Sequence, residues 1–101
     1  MTAENGKIEG DLKVDTTFTL NGMVTGSITV IQGGILQLHG MCCGDLIIEQ
    51  GGIAIVNGIV VRNIFNQGTI EVRGIVNGNV SSKGAHYQQA PGAVVRGTVE
   101  A

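Results

Sequence analysis

Residues 26–43 and 44–61 align without a gap. Gly26, Gly33, Gly34 and Gly40 recur as Gly44, Gly51, Gly52 and Gly58, while Ile28, Val30, Leu36, Leu38 and Cys42 recur as Leu46, Ile48, Ala54, Val56 and Val60. A unit of 18 residues cannot enclose a core by itself. It must stack on copies of itself, so the repeat restricts the chain to a solenoid-like architecture before any residue suggests a function.

Extending the pattern in both directions gives about five coils, starting near Gly10, Gly26, Gly44, Arg62 and Gly78, spaced by 16, 18, 18 and 16 residues. Within each coil apolar residues alternate with polar or variable ones, the period of a strand, and helical periodicity is absent. The chain is therefore expected to be all-β: one single-stranded parallel β-helix (β-solenoid) domain over residues 1–101. Five inward columns follow: Leu12/Ile28/Leu46/Ile64/Val80, Val14/Val30/Ile48/Asn66/Ser82, Phe18/Leu36/Ala54/Ile70/Ala93, Leu20/Leu38/Val56/Val72/Val95 and Val24/Cys42/Val60/Val76/Val99. Polar Asn66 and Ser82 predict an interior that wets or narrows towards the C-terminal end. Gly22, Gly40, Gly58, Gly74 and Gly97 mark a corner of positive φ or backbone crowding. Asn-Gly at 21–22 and 57–58 also suits hairpin turns, but a sandwich of hairpins does not require one residue class every 16 to 18 positions.

Composition agrees with narrow coils. Aromatic residues make up 3% of the chain and there is no Trp, whereas Gly occurs 17 times and apolar residues reach 43%. A compact globule of 101 residues would ordinarily draw on more aromatic bulk to fill its centre.

Gly10-Asp11-Leu12-Lys13-Val14, Gly44-Asp45-Leu46-Ile47-Ile48-Glu49 and Asn21-Gly22-Met23-Val24-Thr25-Gly26-Ser27-Ile28 resemble the repeats of bactofilins, polymer-forming bacterial cytoskeletal proteins. The resemblance covers about residues 8–82. It implies a right-handed β-helix and assembly into filaments. Bactofilin repeats are usually flanked by disordered, often proline-bearing tails, whereas both flanks here are short.

After Ser82 the pattern lapses. Residues 83–91 read as an inserted loop carrying His86, Tyr87 and Gln88, with the last coil strand resuming over residues 92–100. Insertions of this kind often mark a cap or a binding face.

Few residues suggest chemistry. His39 and His86 are the only histidines, and alternation turns His39 outward and Cys42 inward, so no metal centre is expected. Cys43 points outward and is a candidate reactive thiol, though no Lys or Arg lies beside it in sequence. Asp11 and Asp45 share a column but are separated by Ser27, about 9.6 Å at the usual strand spacing, which suits a solvated polar column better than paired catalytic carboxylates. Asn79-Val80-Ser81 matches a glycosylation acceptor by chance. Left-handed hexapeptide acyltransferases share an 18-residue coil, but the six-residue spacing Leu12, Phe18, Val24 is not sustained. No catalytic, cofactor-binding or metal-ligating residue is assigned, and the protein is expected not to be an enzyme and to need no cofactor.

The informative surface is outside. Positions following the corner glycine are Met23, Met41, Ile59, Ile75 and Thr98, and two further on lie Thr25, Cys43, Val61, Asn77 and Glu100. If Val24, Cys42, Val60 and Val76 point inward, these neighbours form an exposed apolar stripe unless a bulge reverses the alternation. Ile47 and Phe65 make a smaller second patch. The expected partner-binding residues are Met23, Met41, Ile59, Ile75, Cys43, Val61, His86, Tyr87 and Gln88.

With a net charge of −2 there is no basic stripe for nucleic acid, and no apolar run reaches the length of a membrane span. Adjacent cysteines and an N-terminus without a signal-peptide pattern suggest the cytoplasm. The expected partner is then another protein, such as a toxin domain neutralised by an immunity-type inhibitor, or a second copy in a homo-oligomer or filament. The polar insertion, reading as a C-terminal cap, favours the foreign partner.

Overall fold

The computed structural model describes residues 2–4, as backbone, together with 6–82 and 85–100. The chain winds past three faces, A, B and C, laying one strand on each before rising a layer. The first turn is Thr2–Glu4 (β1), Lys7–Ile8 (β2) and Leu12–Val14 (β3). The second is Thr17–Leu20 (β4), Met23–Val24 (β5) and Ile28–Val30 (β6). The third is Ile35–Leu38 (β7), Met41–Cys42 (β8) and Leu46–Ile48 (β9). Ile53–Val56 (β10), Ile59–Val60 (β11) and Ile64–Asn66 (β12) form the fourth. Thr69–Val72 (β13), Ile75–Val76 (β14) and Val80–Ser81 (β15) form the fifth. His86–Gln89 (β16), Val94–Val95 (β17) and Val99–Glu100 (β18) close the last. Among the described residues this makes three six-stranded parallel sheets and no helix. The all-β solenoid expected from the repeat is the observed fold. The five coils counted from Gly10 are present, and β1 and β2 lie ahead of them. The molecule measures 30 × 25 × 22 Å.

Register is set by stacking like on like. Leu12 pairs with Ile28 and Ile28 with Leu46, and on face A Leu36, Ala54 and Ile70 succeed one another. Leu20, Leu38, Val56 and Val72 form a second, fully buried column. Strands of two to four residues leave so little width between faces that aliphatic side chains fill the interior without an aromatic residue among those fully buried. Each such side chain contributes about 1.5–3 kcal/mol.

Two corner devices keep the layers in step. Glycines at the corner between faces A and B are there for crowding rather than positive φ. A Cβ on Gly40, Gly58 or Gly74 would collide with the carbonyl oxygen of Gly22, Gly40 or Gly58 one layer away. Positive φ occurs instead at Gly10, Gly33, Gly51 and Gly92. Between faces B and C a polar column runs the length of the molecule. Asp11 Oδ1 accepts the Ser27 N–H at 2.8 Å, Ser27 Oγ that of Asp45 at 3.2 Å, and Asp45 Oδ1 that of Asn63 at 3.0 Å. Asn63 Oδ1 then accepts the Asn79 N–H at 2.9 Å, and Asn79 Oδ1 that of Thr98 at 2.8 Å. Asp11 and Asp45 are thus occupied in tying coils together.

The interior does turn polar at Asn66 and Ser82, and both are buried. Asn66 Nδ2 donates to Ser82 Oγ and to the His86 carbonyl, each at 2.8 Å, while its Oδ1 accepts the Gly68 N–H at 3.0 Å. The polar pair is satisfied by protein groups, as burial demands.

The C-terminal segment departs from expectation. Lys83 and Gly84 lie outside the described residues, but His86–Gln89 is no loop. It is β16, paired in register with β13 through Thr69–His86, Ile70–Tyr87, Glu71–Gln88 and Val72–Gln89. Its backbone satisfies a parallel edge whatever its side chains, so a polar run can occupy a strand position. Every later assignment shifts accordingly. Tyr87, not Ala93, ends the column of Phe18, and Gln89, not Val95, that of Leu20. Val95 follows Val76, and Val99 follows Val80. Gly97 belongs to the second corner, where its N–H reaches the Gly78 carbonyl.

Candidate functional site

Face B is the narrowest, with two residues per strand, and its outward positions form one column. Lys7 pairs with Met23, Met23 with Met41, Met41 with Ile59, Ile59 with Ile75 and Ile75 with Val94. The inward partners Val24, Cys42, Val60 and Val76 are buried, so the alternation holds without a bulge. Met23, Met41, Ile59 and Ile75 are half-buried, and Val94 is 43% exposed. Val94 takes the place expected of Thr98, which sits in the polar corner column. Beside the stripe, backbone bonds align Thr25, Cys43, Val61, Asn77 and Arg96, so Arg96 stands where Glu100 was expected. On the other side Asn21, His39, Asn57, Arg73 and Ala90 form the corner.

Six of the nine expected residues, Met23, Met41, Ile59, Ile75, Cys43 and Val61, therefore share face B. His86, Tyr87 and Gln88 do not join them. They lie on face A, where His86 and Gln88 are exposed while Tyr87 turns inward and packs against the core. The Tyr87 hydroxyl donates to Gln89 Oε1 at 2.9 Å, and burial pushes its pKa up. Face C carries Ile47 beside Phe65, the latter 45% exposed, over an open depression bordered by Gln32, Glu49, Gln50 and Gln67. An apolar group on face A, outward Ile35 and Ile53 with neighbouring Ile55, was missed by sequence reasoning, although the alternation that buries Leu36, Ala54 and Val56 implies it.

Among the described residues no three His, Cys, Asp or Glu side chains converge on a point that could hold a metal ion. Cys42 is buried, and its thiol lies within 3.5–3.8 Å of the carbonyls of Gly26, Gly44 and Asp45. Burial pushes this thiol up to about 11, away from the thiolate that nucleophilic chemistry requires. Cys43 is half-buried and turned to the other side. Exposed ion pairs join Lys7 to Glu9 at 3.6 Å and Arg73 to Glu71 at 2.9 Å. Among the described residues no helix is long and apolar enough to cross a membrane.

The ends are the second distinctive surface. Strands β1, β2 and β3 at one end and β16, β17 and β18 at the other each have a neighbour on one side only among the described residues. Val99 at the C-terminal end is 37% exposed although its column is otherwise interior. The chain matches no protein-family model, no curated protein and no solved structure.

Proposed function

We propose that the protein is a non-enzymatic, protein-binding solenoid whose principal partner is a second copy of itself, a structural subunit that assembles end to end. The observation that carries this reading is the in-register terminal coil β16–β18. A segment expected to cap the solenoid instead extends all three sheets, so that among the described residues the strands at each end have a neighbour on one side only. Such edges take up further strands unless something covers them. The resemblance of the Gly10 and Gly44 repeats to bactofilins points the same way, as a likeness and no more. On this reading the protein belongs in a bacterial cytoplasm, a setting that suits the free thiols Cys42 and Cys43.

A second reading rests on face B. A half-buried apolar column flanked by Val61 and Cys43 suits a foreign protein, such as a toxin held by an immunity-type inhibitor, because Met23 and Met41 can repack around an irregular partner. Light scattering over a range of concentrations separates the two. End-to-end assembly gives long species that grow with concentration. A monomer at every concentration overturns the first reading. If the double variant Met41→Lys, Ile59→Lys then loses a protein bound by the wild type, the second reading stands.

A further inference from the structure

Resting on the end-to-end reading, we infer that the junction is polar: the C-terminal end of one copy receives the N-terminal end of the next as a seventh layer in unbroken register. Each column has a first and a last member, and the junction sets one against the other. On face B the last inward residue, Val95, meets Ile8, and on face C Val99 meets Leu12. On these two faces apolar residues thereby meet across the join, whereas on face A the same register brings Gln89 opposite Glu4. In the column beside the apolar stripe the first position is Glu9, which follows Ile8 as Thr25 follows Val24, and the last is Arg96. Both are exposed, so the junction places a guanidinium one layer from a carboxylate.

The polar corner column gives the same direction independently. In every link an oxygen in one layer accepts a backbone N–H from the layer above, from Asp11 up to Asn79 and Thr98. Thr98 ends that series with a hydroxyl able to accept, and the first N–H in the column is that of Asp11. Head-to-tail stacking adds one more link of the same kind. A two-fold junction of like ends would run the strands antiparallel and set Arg96 or Glu9 towards its own copy, forfeiting both the charge pairing and the directional link.

Two experiments test this. Arg96→Glu and Glu9→Arg should each raise the concentration needed for assembly by about five- to tenfold, the scale of losing an exposed ion pair and gaining a like-charge contact. The double variant should restore it. Polarity is read by cross-linking in a Cys43→Ser background, because Val94 and Lys7 would be neighbours across the join at about 4.8 Å, within the span of a disulfide. Lys7→Cys and Val94→Cys proteins, folded by circular dichroism, should form covalent dimers when mixed and none when oxidised separately. Dimers from either variant alone would show like ends meeting and overturn the polarity while leaving assembly intact. A wild type that stays monomeric at all concentrations would overturn the parent reading and this inference together.

Discussion

Replacing Asn66 by Ala removes a side chain that joins the interior of the fourth layer to the strand above. Three groups lose their partner: the Ser82 hydroxyl, fully buried, the His86 carbonyl and the Gly68 N–H. An unpaired buried polar group costs about 1–3 kcal/mol. Since two of the three bonds are only partly buried, the lower part of that range applies, giving a loss of about 3–4 kcal/mol. With a urea slope of about 1.5 kcal/mol per molar, the midpoint should fall by about 2 M. Urea titration followed by circular dichroism measures it. Ser82→Ala alone should cost about 1 kcal/mol, and the double variant should fall short of the sum by a similar amount because the two residues share a bond. Hydrogen exchange at His86–Gln89 should accelerate in Asn66→Ala ahead of exchange at Ile53–Val56, since only β16 loses its anchor. A midpoint shift below about 0.7 M would refute the network's structural role.

Further outcomes follow from the interior and the corners. Val56→Asp, buried between Leu38 and Val72, should cost several kcal/mol or abolish folding, while Asn57→Asp on the exposed corner should leave the stability measured by urea titration within about 0.5 kcal/mol of wild type. Gly58→Ala should destabilise by more than the roughly 1 kcal/mol expected of Gly33→Ala, where positive φ is the only obstacle, because the new methyl meets the Gly40 carbonyl in a rigid corner; thermal melts compare the two. The Cys42 thiol is held above its ordinary value of 9.0, so the folded state keeps its proton more tightly than the unfolded one. Stability from this group is full below pH 9 and declines as pH rises towards about 11, and Cys42→Ala should flatten that decline in urea titrations at stepped pH. At pH 8 a thiol reagent should modify Cys43 and spare Cys42 until the protein unfolds.

The layers from Gly10 to Ser82 were legible because a stacked strand imposes the same residue class at the same place in every coil. Ile28, Leu46 and Ile64 could be set in one column from sequence spacing alone, as could outward Met41 and Ile59. The last coil was not legible, since His86–Gln89 keeps the backbone pairing of a strand but not its apolar alternation, and pairing leaves no mark on side-chain identity. The corner column was legible in part, as the shared polar column of Asp11, Ser27 and Asp45, but its continuation and its coil-tying role hid for a different reason. Asp11, Ser27, Asp45, Asn63, Asn79 and Thr98 differ in charge and size and share only a short side chain with an oxygen able to accept an N–H. Read singly, each looks like an ordinary surface residue.

Parallel pairing between successive coils also gives the molecule a mechanical grain. The hydrogen bonds that join Leu38 to Asn57, or Val56 to Arg73, point along the stack, so a tug on the two chain ends loads the outermost coil before the ones beneath it. Under tension the solenoid should peel one coil at a time rather than shear as a block, each release paying out 16 to 18 residues of chain, about 55–65 Å when extended. A force trace of evenly spaced steps, broken by a higher one where Asn66 clasps β16, would be its signature.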